Sequence, residues 1–258
     1  MSDPLATATV RLHEAGIPDP VNEARKLDAL ATEQGADLAD LVARRITFEP
    51  FSHIAGRRAF WNHDFFVSSD VLDPRPDTET LVEVALSLPF DTVLDLGTGS
   101  GCILCSILAE RPSTMGTGTD ISTAALQVAQ RNADATGVAD RALLIESDWF
   151  AAVKGQFDLI VSNPPYITED AYAELHPTVQ RFEPRIALTP GGDGLASYRV
   201  IAAEGPKYLS PDGYAVVEIG YDQGASVQSM FRTHGWRNVA CIPDLNGKDR
   251  VIRAKAPQ

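Results

Sequence analysis

The chain has 258 residues, 44% of them hydrophobic and 22% charged, with a formal net charge of −13. That length supports a sizeable core in one large domain or a domain with an appendage, and the composition is that of an ordinary globular protein. The acidic balance argues against a broad grip on a nucleic-acid backbone, and no run approaches the roughly 18 apolar residues that span a bilayer or resembles a signal peptide, which predicts a cytoplasmic protein with no membrane partner. Residues 1–57 show apolar positions at helical spacing in "ATATVRLHEAG", "VNEARKLDALATEQG" and "DLADLVARRI", and predict a small helical N-terminal domain. The basic doublets Arg44-Arg45 and Arg57-Arg58 are the only candidates for a local basic patch, and read as solvated charge. Residues 58–74, with aromatic and β-branched residues around Asn62-His63-Asp64, predict a linking β-hairpin. In residues 75–258, "PRPDTETLVEVALSL" opens a helix with Asp77 or Thr78 as its cap.

From Asp91 onward strands and helices alternate: "TVLDLG", "ILCSILAE", "TMGTGTDI", "AALQVAQRNADATG", "ALLIES" and "FDLIVS", then "SYRVIAAEGPKYL", "GYAVVEIG" and "GASVQSMFRTHG". "NVACIPD" and "KDRVIRA" close the chain as a hairpin-like pair. Near-continuous apolar strands separated by helices predict an α/β fold with a mostly parallel sheet covered on both faces. Three cysteines, an odd number, fit a reducing compartment. Cys102 and Cys105 stand on the first turns of a helix with no second Cys or His pair at ligand spacing, so they read as core and no metal site is expected.

Ligands of such sheets sit beyond the carboxyl ends of the strands, and here those ends carry the polar residues. The first ends in "DLGTGSG", where Gly97, Gly99 and Gly101 permit a sharp turn and close approach of a ligand to the backbone. By itself this turn could serve a nicotinamide dinucleotide, another nucleoside, or nothing. Asp120, about twenty residues on at the next strand end, can accept from ribose hydroxyls or cap the helix that follows, although Ser122 can cap it as well. Asp148 and Trp149, at the third, offer an acceptor and a flat apolar surface to an adenine ring, or simply core. The fourth ends in "SNPPY". Pro164 and Pro165 delete two backbone donors, keep their carbonyls and fix φ near −65°, while Asn163 adds a side-chain carbonyl. Such a rigid acceptor array suits a planar group with two N–H donors, against whose face Tyr166 can lie.

Together "VLDLGTGSG" and "SNPPY" resemble the class I S-adenosylmethionine-dependent methyltransferases that modify amino or amide nitrogen. More closely, "VLDPRPDTETLVE", "SDWF", "IVSNPPYI", "FEPRIALTPGGDGL" and "VVEIGYDQG" resemble the protein-(glutamine-N5) methyltransferases of the HemK/PrmC type, over nearly the whole chain from about Arg44 and more loosely before it. The resemblance implies a Rossmann-like fold with an antiparallel C-terminal strand. It also implies S-adenosyl-L-methionine as cofactor, S-adenosyl-L-homocysteine as product, and the glutamine of the Gly-Gly-Gln motif of peptide chain release factors as substrate. On matching positions, Gly97, Thr98, Gly99, Ser100 and Gly101 would wrap the methionine portion, Asp120 would hold the ribose, and Asp148 with Trp149 the adenine side. Asn163, Pro164, Pro165 and Tyr166 would bind the substrate amide, Asn163 also touching the cofactor, with Arg75 and Pro76 nearby. The family's usual apolar residue before "PRP" is replaced by Asp73. The resemblance further implies that the N-terminal domain docks the release factor.

The chemistry implied sets a definite demand. An amide nitrogen is a poor nucleophile because its lone pair is delocalised, so the site has to improve and aim it. The Asn163 side-chain carbonyl and the Pro164 backbone carbonyl, each accepting one amide N–H, would do both. No general base is evident, and solvent can take the proton from the acidic N-methylated amide. Three rivals share parts of this pattern. A DNA adenine methyltransferase poses the same acceptor problem but needs DNA-gripping and base-flipping machinery. A glutamine methyltransferase for a ribosomal protein is disfavoured by "PRPDTE". A non-enzymatic nucleoside-binding module would bind cofactor without transferring methyl to any protein.

Overall fold

A computed structural model describes residues 3–258. Four helices come first: α1 (Pro4–Glu14), α2 (Pro20–Gln34), α3 (Leu38–Arg45) and α4 (Phe51–Ala55). Their apolar stripes close on one another, with Leu12, Leu27, Leu30, Leu41, Val42 and Ile54 buried in a cluster of their own. Asp3 and Asp37 cap α1 and α3 through their carboxylates, and prolines stand at the first positions of α1 and α2, where a missing N–H costs nothing. The arginine doublets are ion-paired: Arg44 with Glu49, Arg45 with Glu23 and Arg57 with Glu33, each at 2.5 Å. Arg58 Nε donates to the Pro74 carbonyl at 3.2 Å. The doublets therefore tie the helices together and form no basic patch.

The strands β1 (Arg58–Phe60) and β2 (His63–Phe65) pair antiparallel. Phe60 and Phe65 drop into the main core, while Trp61 and Asn62 donate to the Glu110 carboxylate at 2.8 Å. Pairing stops at Phe65 and does not extend to residue 74. The Asn132 side chain instead takes both the Phe66 N–H and the Phe66 carbonyl, so residues 66–74 run as an irregular strap. A single 3₁₀ turn, Pro76–Thr78, precedes α5 (Glu79–Leu86), and neither Asp77 nor Thr78 caps it: that first turn is already helical, and the Thr78 hydroxyl is engaged elsewhere.

The remaining elements are β3 (Thr92–Leu96), α6 (Cys102–Glu110), β4 (Met115–Asp120), α7 (Thr123–Thr136), β5 (Ala142–Glu146), β6 (Phe157–Ser162), α8 (Glu169–Ala173), α9 (Pro177–Phe182) and α10 (Arg185–Leu188). Then come α11 (Ala196–Glu204), a 3₁₀ turn over Gly205–Tyr208, β7 (Leu209–Glu218), α12 (Gly224–Thr233), β8 (Arg237–Pro243) and β9 (Asp249–Lys255). Seven strands form one sheet in the order β5-β4-β3-β6-β7-β9-β8, parallel except for β9, which runs antiparallel to both neighbours. Alternation sorts the core between the two faces. Val93, Leu159, Val161, Val216 and Val251 face α5 and α6, whereas Leu94, Ile160, Ala215, Val217 and Ile252 face α11 and α12. Each fully buried Leu or Ile contributes about 1.5–3 kcal/mol, which explains strands that read as continuous apolar runs. Cys102 and Cys105 lie in the first core, where burial pushes both thiols up to about 12. No helix among the described residues is long and apolar enough to cross a membrane.

Strand order decides where a site can form. The chain steps outward from β3 through β4 to β5, then returns to β6 on the other side of β3. Loops leaving β3 and β6 diverge to opposite faces, and a crevice opens between them. Ser162 Oγ donates to the Leu96 carbonyl at 2.7 Å, fastening the two strand ends side by side. Two motifs 66 residues apart in the chain thus share one opening.

Candidate active site

A cleft of about 1050 Å³, counting its open mouth, lies over this crevice. Its walls include Gly97, Thr98, Gly99, Ser100, Asp120, Asp148, Trp149, Asn163, Pro165 and Arg75. Gly101, Pro164, Tyr166 and Pro76 are not part of the lining.

The glycine loop folds as it does for local reasons. Gly97 and Gly99 have φ of +68° and +55°, and a Cβ at either would meet nothing within 4 Å. Only backbone conformation requires glycine there, and the space where side chains would stand belongs to the cleft. At Gly101 the requirement is different: φ is +76° and a Cβ would press on Ala129 at 3.1 Å, so this glycine lets α6 approach α7. Thr98 is buried and donates to Asp95 Oδ2 at 2.6 Å. Asp95 is fully enclosed beneath the loop. Burial pushes its carboxyl up to about 7, the Thr98 hydroxyl opposes the rise, and the charge of Asp120 adds to it.

Asp120 joins three pieces of chain. Its Oδ2 accepts from the Gly99 N–H and its Oδ1 from the Ser122 N–H, both at 2.9 Å, while Ser122 itself caps α7 through Ala125. Trp149 has φ of +49°, a strained value for a bulky residue. The Ser147 hydroxyl holds that turn by donating to the Trp149 carbonyl at 2.9 Å and accepting from the Ala152 N–H. Trp149 consequently both packs against the core and forms cleft wall. Asp148 beside it is exposed.

The loop after β6 is held from behind. Ser197 Oγ donates to the Pro165 carbonyl at 3.0 Å, and Gln223 Nε2 to the Tyr166 carbonyl at 3.0 Å. The Pro164 carbonyl accepts from none of the described residues. Asn163 Nδ2 donates to Thr78 Oγ1 at 3.2 Å. The Tyr166 hydroxyl donates to the buried Glu218 at 3.4 Å, and burial together with the charge of Glu218 pushes the phenol well above its usual range. Tyr166 therefore stays neutral, with its polar end turned away from the cleft.

Several wall residues escaped sequence reasoning: Thr78, Pro184, Ile186 and Ala187, and the strap residues Asp70, Val71 and Leu72. The quoted "FEPRIAL" and "VLDPRPDTE" stretches contain all of them but Asp70. Arg75 Nη2 sits 2.7 Å from both oxygens of Glu183, joining the strap to the segment before α10. Burial raises the Glu183 carboxyl and Arg75 opposes it. Asp73, the departure from the family pattern, is buried, accepts from Ser52 Oγ, and lies 3.2 Å from His53 Nε2. Burial would raise the Asp73 carboxyl, but His53 and Ser52 outweigh it and hold it low. The site wall is in this way pinned to α4.

This cleft fits an adenosyl sulfonium cofactor on its own chemistry: open space at two glycines, an acidic acceptor between strand ends, and a tryptophan on the third. The methyltransferase small domain family model matches residues 58–193. A release factor glutamine methyltransferase from Cereibacter sphaeroides is 46% identical over 99% of this chain and 98% of its own length. One from Rhodospirillum rubrum is 44% identical, over 95% and 82%. Among solved structures, a methyltransferase from Pyrococcus furiosus aligns with a TM-score of 0.59 at 17% identity, covering 84% of this chain and 98% of that one. The hMettl16 catalytic domain aligns with 0.62 at 16%, covering 84% and 82%. Those two likenesses establish the class I methyltransferase fold, and the relatives establish the rest: the chain belongs to the release factor glutamine methyltransferase family.

Proposed function

We propose that the enzyme methylates the side-chain amide nitrogen, N5, of the glutamine in the Gly-Gly-Gln motif of peptide chain release factors. One observation carries this reading. The loop after β6 borders the same cleft as the glycine loop after β3: Asn163 lines it with Oδ1 unengaged, and the Pro164 carbonyl next to it accepts from none of the described residues. When bound, S-adenosyl-L-methionine supplies an electrophilic methyl group on a sulfonium and leaves as S-adenosyl-L-homocysteine. Gly97, Gly99 and Asp120 would hold its amino-acid and ribose portions, and Trp149 with Asp148 its adenine.

Asn163 Oδ1 and the Pro164 carbonyl each accept one N–H of the glutamine amide. Two acceptors on one NH₂ group draw electron density onto nitrogen and fix its reacting face, and because neither loop proline has an N–H, no donor competes for the substrate. The backing of the loop by Ser197 and Gln223 keeps those carbonyls in place without reorganisation. The N-methylated amide is strongly acidic before it loses its proton, and water at the open mouth takes it. On this reading the enzyme acts in the cytoplasm on a protein substrate, with no direct nucleic-acid substrate. The test is incubation with methyl-labelled cofactor and full-length release factor, followed by peptide mass mapping. Label on the Gly-Gly-Gln glutamine is expected. Label on DNA, on a ribosomal protein alone, or on another side chain overturns the reading.

A further inference from the structure

Glu218 ends β7 directly behind the Asn163–Tyr166 loop and takes no part in the mechanism above. It is buried, and its Oε2 has no hydrogen-bond partner among the described residues, although Oε1 takes the Tyr166 hydroxyl. Thr78 is buried too, lines the cleft, and its oxygen already accepts from Asn163 Nδ2. A threonine oxygen engaged as an acceptor has its own proton to give, and a buried carboxylate oxygen without a donor needs one. The Thr78 hydroxyl is close enough to Glu218 to oppose the upward push that burial gives its carboxyl.

We propose that Thr78 and Glu218 are positioning residues that set the direction of a hydrogen-bond chain, so that Asn163 presents its carbonyl and not its NH₂ to the substrate amide. This rests on the amide-methylation reading. With Glu218 ionised, it can only accept, so the Tyr166 and Thr78 hydroxyls both point toward it. Thr78 Oγ1 is then left to accept from Asn163 Nδ2, and Oδ1 is left for the substrate. A protonated Glu218 can donate to Thr78, which then donates to Asn163. The Asn163 amide turns over, its NH₂ faces the substrate NH₂, and two donors meet.

The groups facing Glu218 are Tyr166 from the loop after β6, Tyr198 from α11, whose hydroxyl donates to the Glu218 carbonyl at 3.1 Å, Asp77 from the 3₁₀ turn, and Arg250 from β9. Arg250 is held by Asp244 at 3.0 Å and Asp77 at 3.2 Å. Burial leads the shift and Thr78 and Arg250 oppose it, giving Glu218 a pKa of about 7. The working form is the ionised one, so methyl transfer should fall as pH drops through about 7.

Thr78→Val keeps the shape and deletes the hydroxyl. Its kcat for methylation of full-length release factor should drop roughly 10- to 100-fold, the scale of one preorganised polar group, with cofactor affinity within about twofold of the parent. Thr78→Ser should recover most of that rate. Glu218→Gln should lower the rate and abolish the acid limb near pH 7. An unchanged kcat in Thr78→Val, an equal loss in Thr78→Ser, or an acid limb that persists in Glu218→Gln overturns the proposal. The parent enzyme in the same assay tests the function separately, because label on the glutamine there keeps that reading whatever the variants do.

Discussion

At the scale of single residues, two carboxylates at the glycine loop do opposite things. Asp120 faces the cleft and accepts from two backbone N–H groups, so its carboxylate is already fixed in place before any ligand arrives. Charge-assisted bonds to ribose are worth about 1.5–3 kcal/mol, so Asp120→Ala should weaken S-adenosylmethionine binding by roughly 10- to 150-fold in calorimetry. Part of that loss comes from freeing the Gly99 N–H, and Asp120→Asn, which keeps one acceptor, should lose less. Unchanged affinity in a folded Asp120→Ala protein would remove it from the ribose site. Asp95 lies beneath the same loop with no exposure, its Oδ1 unpaired, and its pKa raised to about 7 by burial, with Thr98 opposing. Because the folded value exceeds the unfolded value of about 4, its contribution to stability is complete below about pH 4 and is lost as pH climbs through 7. Denaturant titrations at pH 5.5 and 8 should show wild type losing ground to Asp95→Asn at the higher pH, by about 2 kcal/mol. Equal differences at the two pH values would mean that Asp95 titrates normally.

Among the elements, the loop after β6 depends on a turn it never meets in sequence. Gly194, at φ +73°, lies so close to the Tyr166 carbonyl oxygen that a Cβ there would overlap it, and Gln223 Nε2 grips the same oxygen. Gly194→Ala should push this loop outward, cutting methyl transfer by about a hundredfold or more, as for loss of preorganised acceptors. Cofactor affinity should change far less, since the glycine loop after β3 is untouched. Parallel losses in a binding titration and a transfer assay would show that the effect is general misfolding. This contact also marks the limit of what the sequence discloses. The sheet and its crossover helices are legible because apolar periodicity acts over a few neighbouring residues. Thr78 reads locally as a helix cap, yet its hydroxyl serves Asn163, 85 residues away. Gly101 reads as ligand loop, yet its contact is with Ala129. The short helices α8 to α10 carry too few residues for a periodic signal, and what places α10 against the cleft is the Arg75–Glu183 pair, 108 residues apart. Such pairings are chosen by the folded topology, which no local window contains.

Over the whole molecule, arginine–carboxylate pairs bridge elements far apart in the chain. Arg45 and Arg57 bind Glu23 and Glu33 across the N-terminal helices, whose buried cluster Ala8 to Ile54 is separate from the cores on the sheet. The helices still reach the cleft wall, because Ser52 and His53 of α4 hold Asp73 while Arg75, two residues on, holds Glu183. We infer that this helical unit is a docking platform held in register with the cleft. A glutamine side chain is short, so its amide reaches Asn163 only if the flanking backbone presses against the rim, which two preceding glycines permit. A few residues at the rim supply little binding area, and the remaining affinity has to come from surface elsewhere on the substrate. Full-length release factor should accordingly be methylated with a kcat/KM at least about a hundredfold above that of a short Gly-Gly-Gln peptide, an advantage of roughly 2.7 kcal/mol or more. A variant lacking residues 1–50 still carries Ser52, His53 and Asp73, the contacts that tie α4 to the wall. It should lose most of that advantage on the intact factor and turn over the peptide at the parental rate. Measuring kcat/KM for both substrates with both enzymes separates the possibilities: an undiminished rate on the factor excludes docking by these helices, and an equal loss on the peptide shows that they only support the fold.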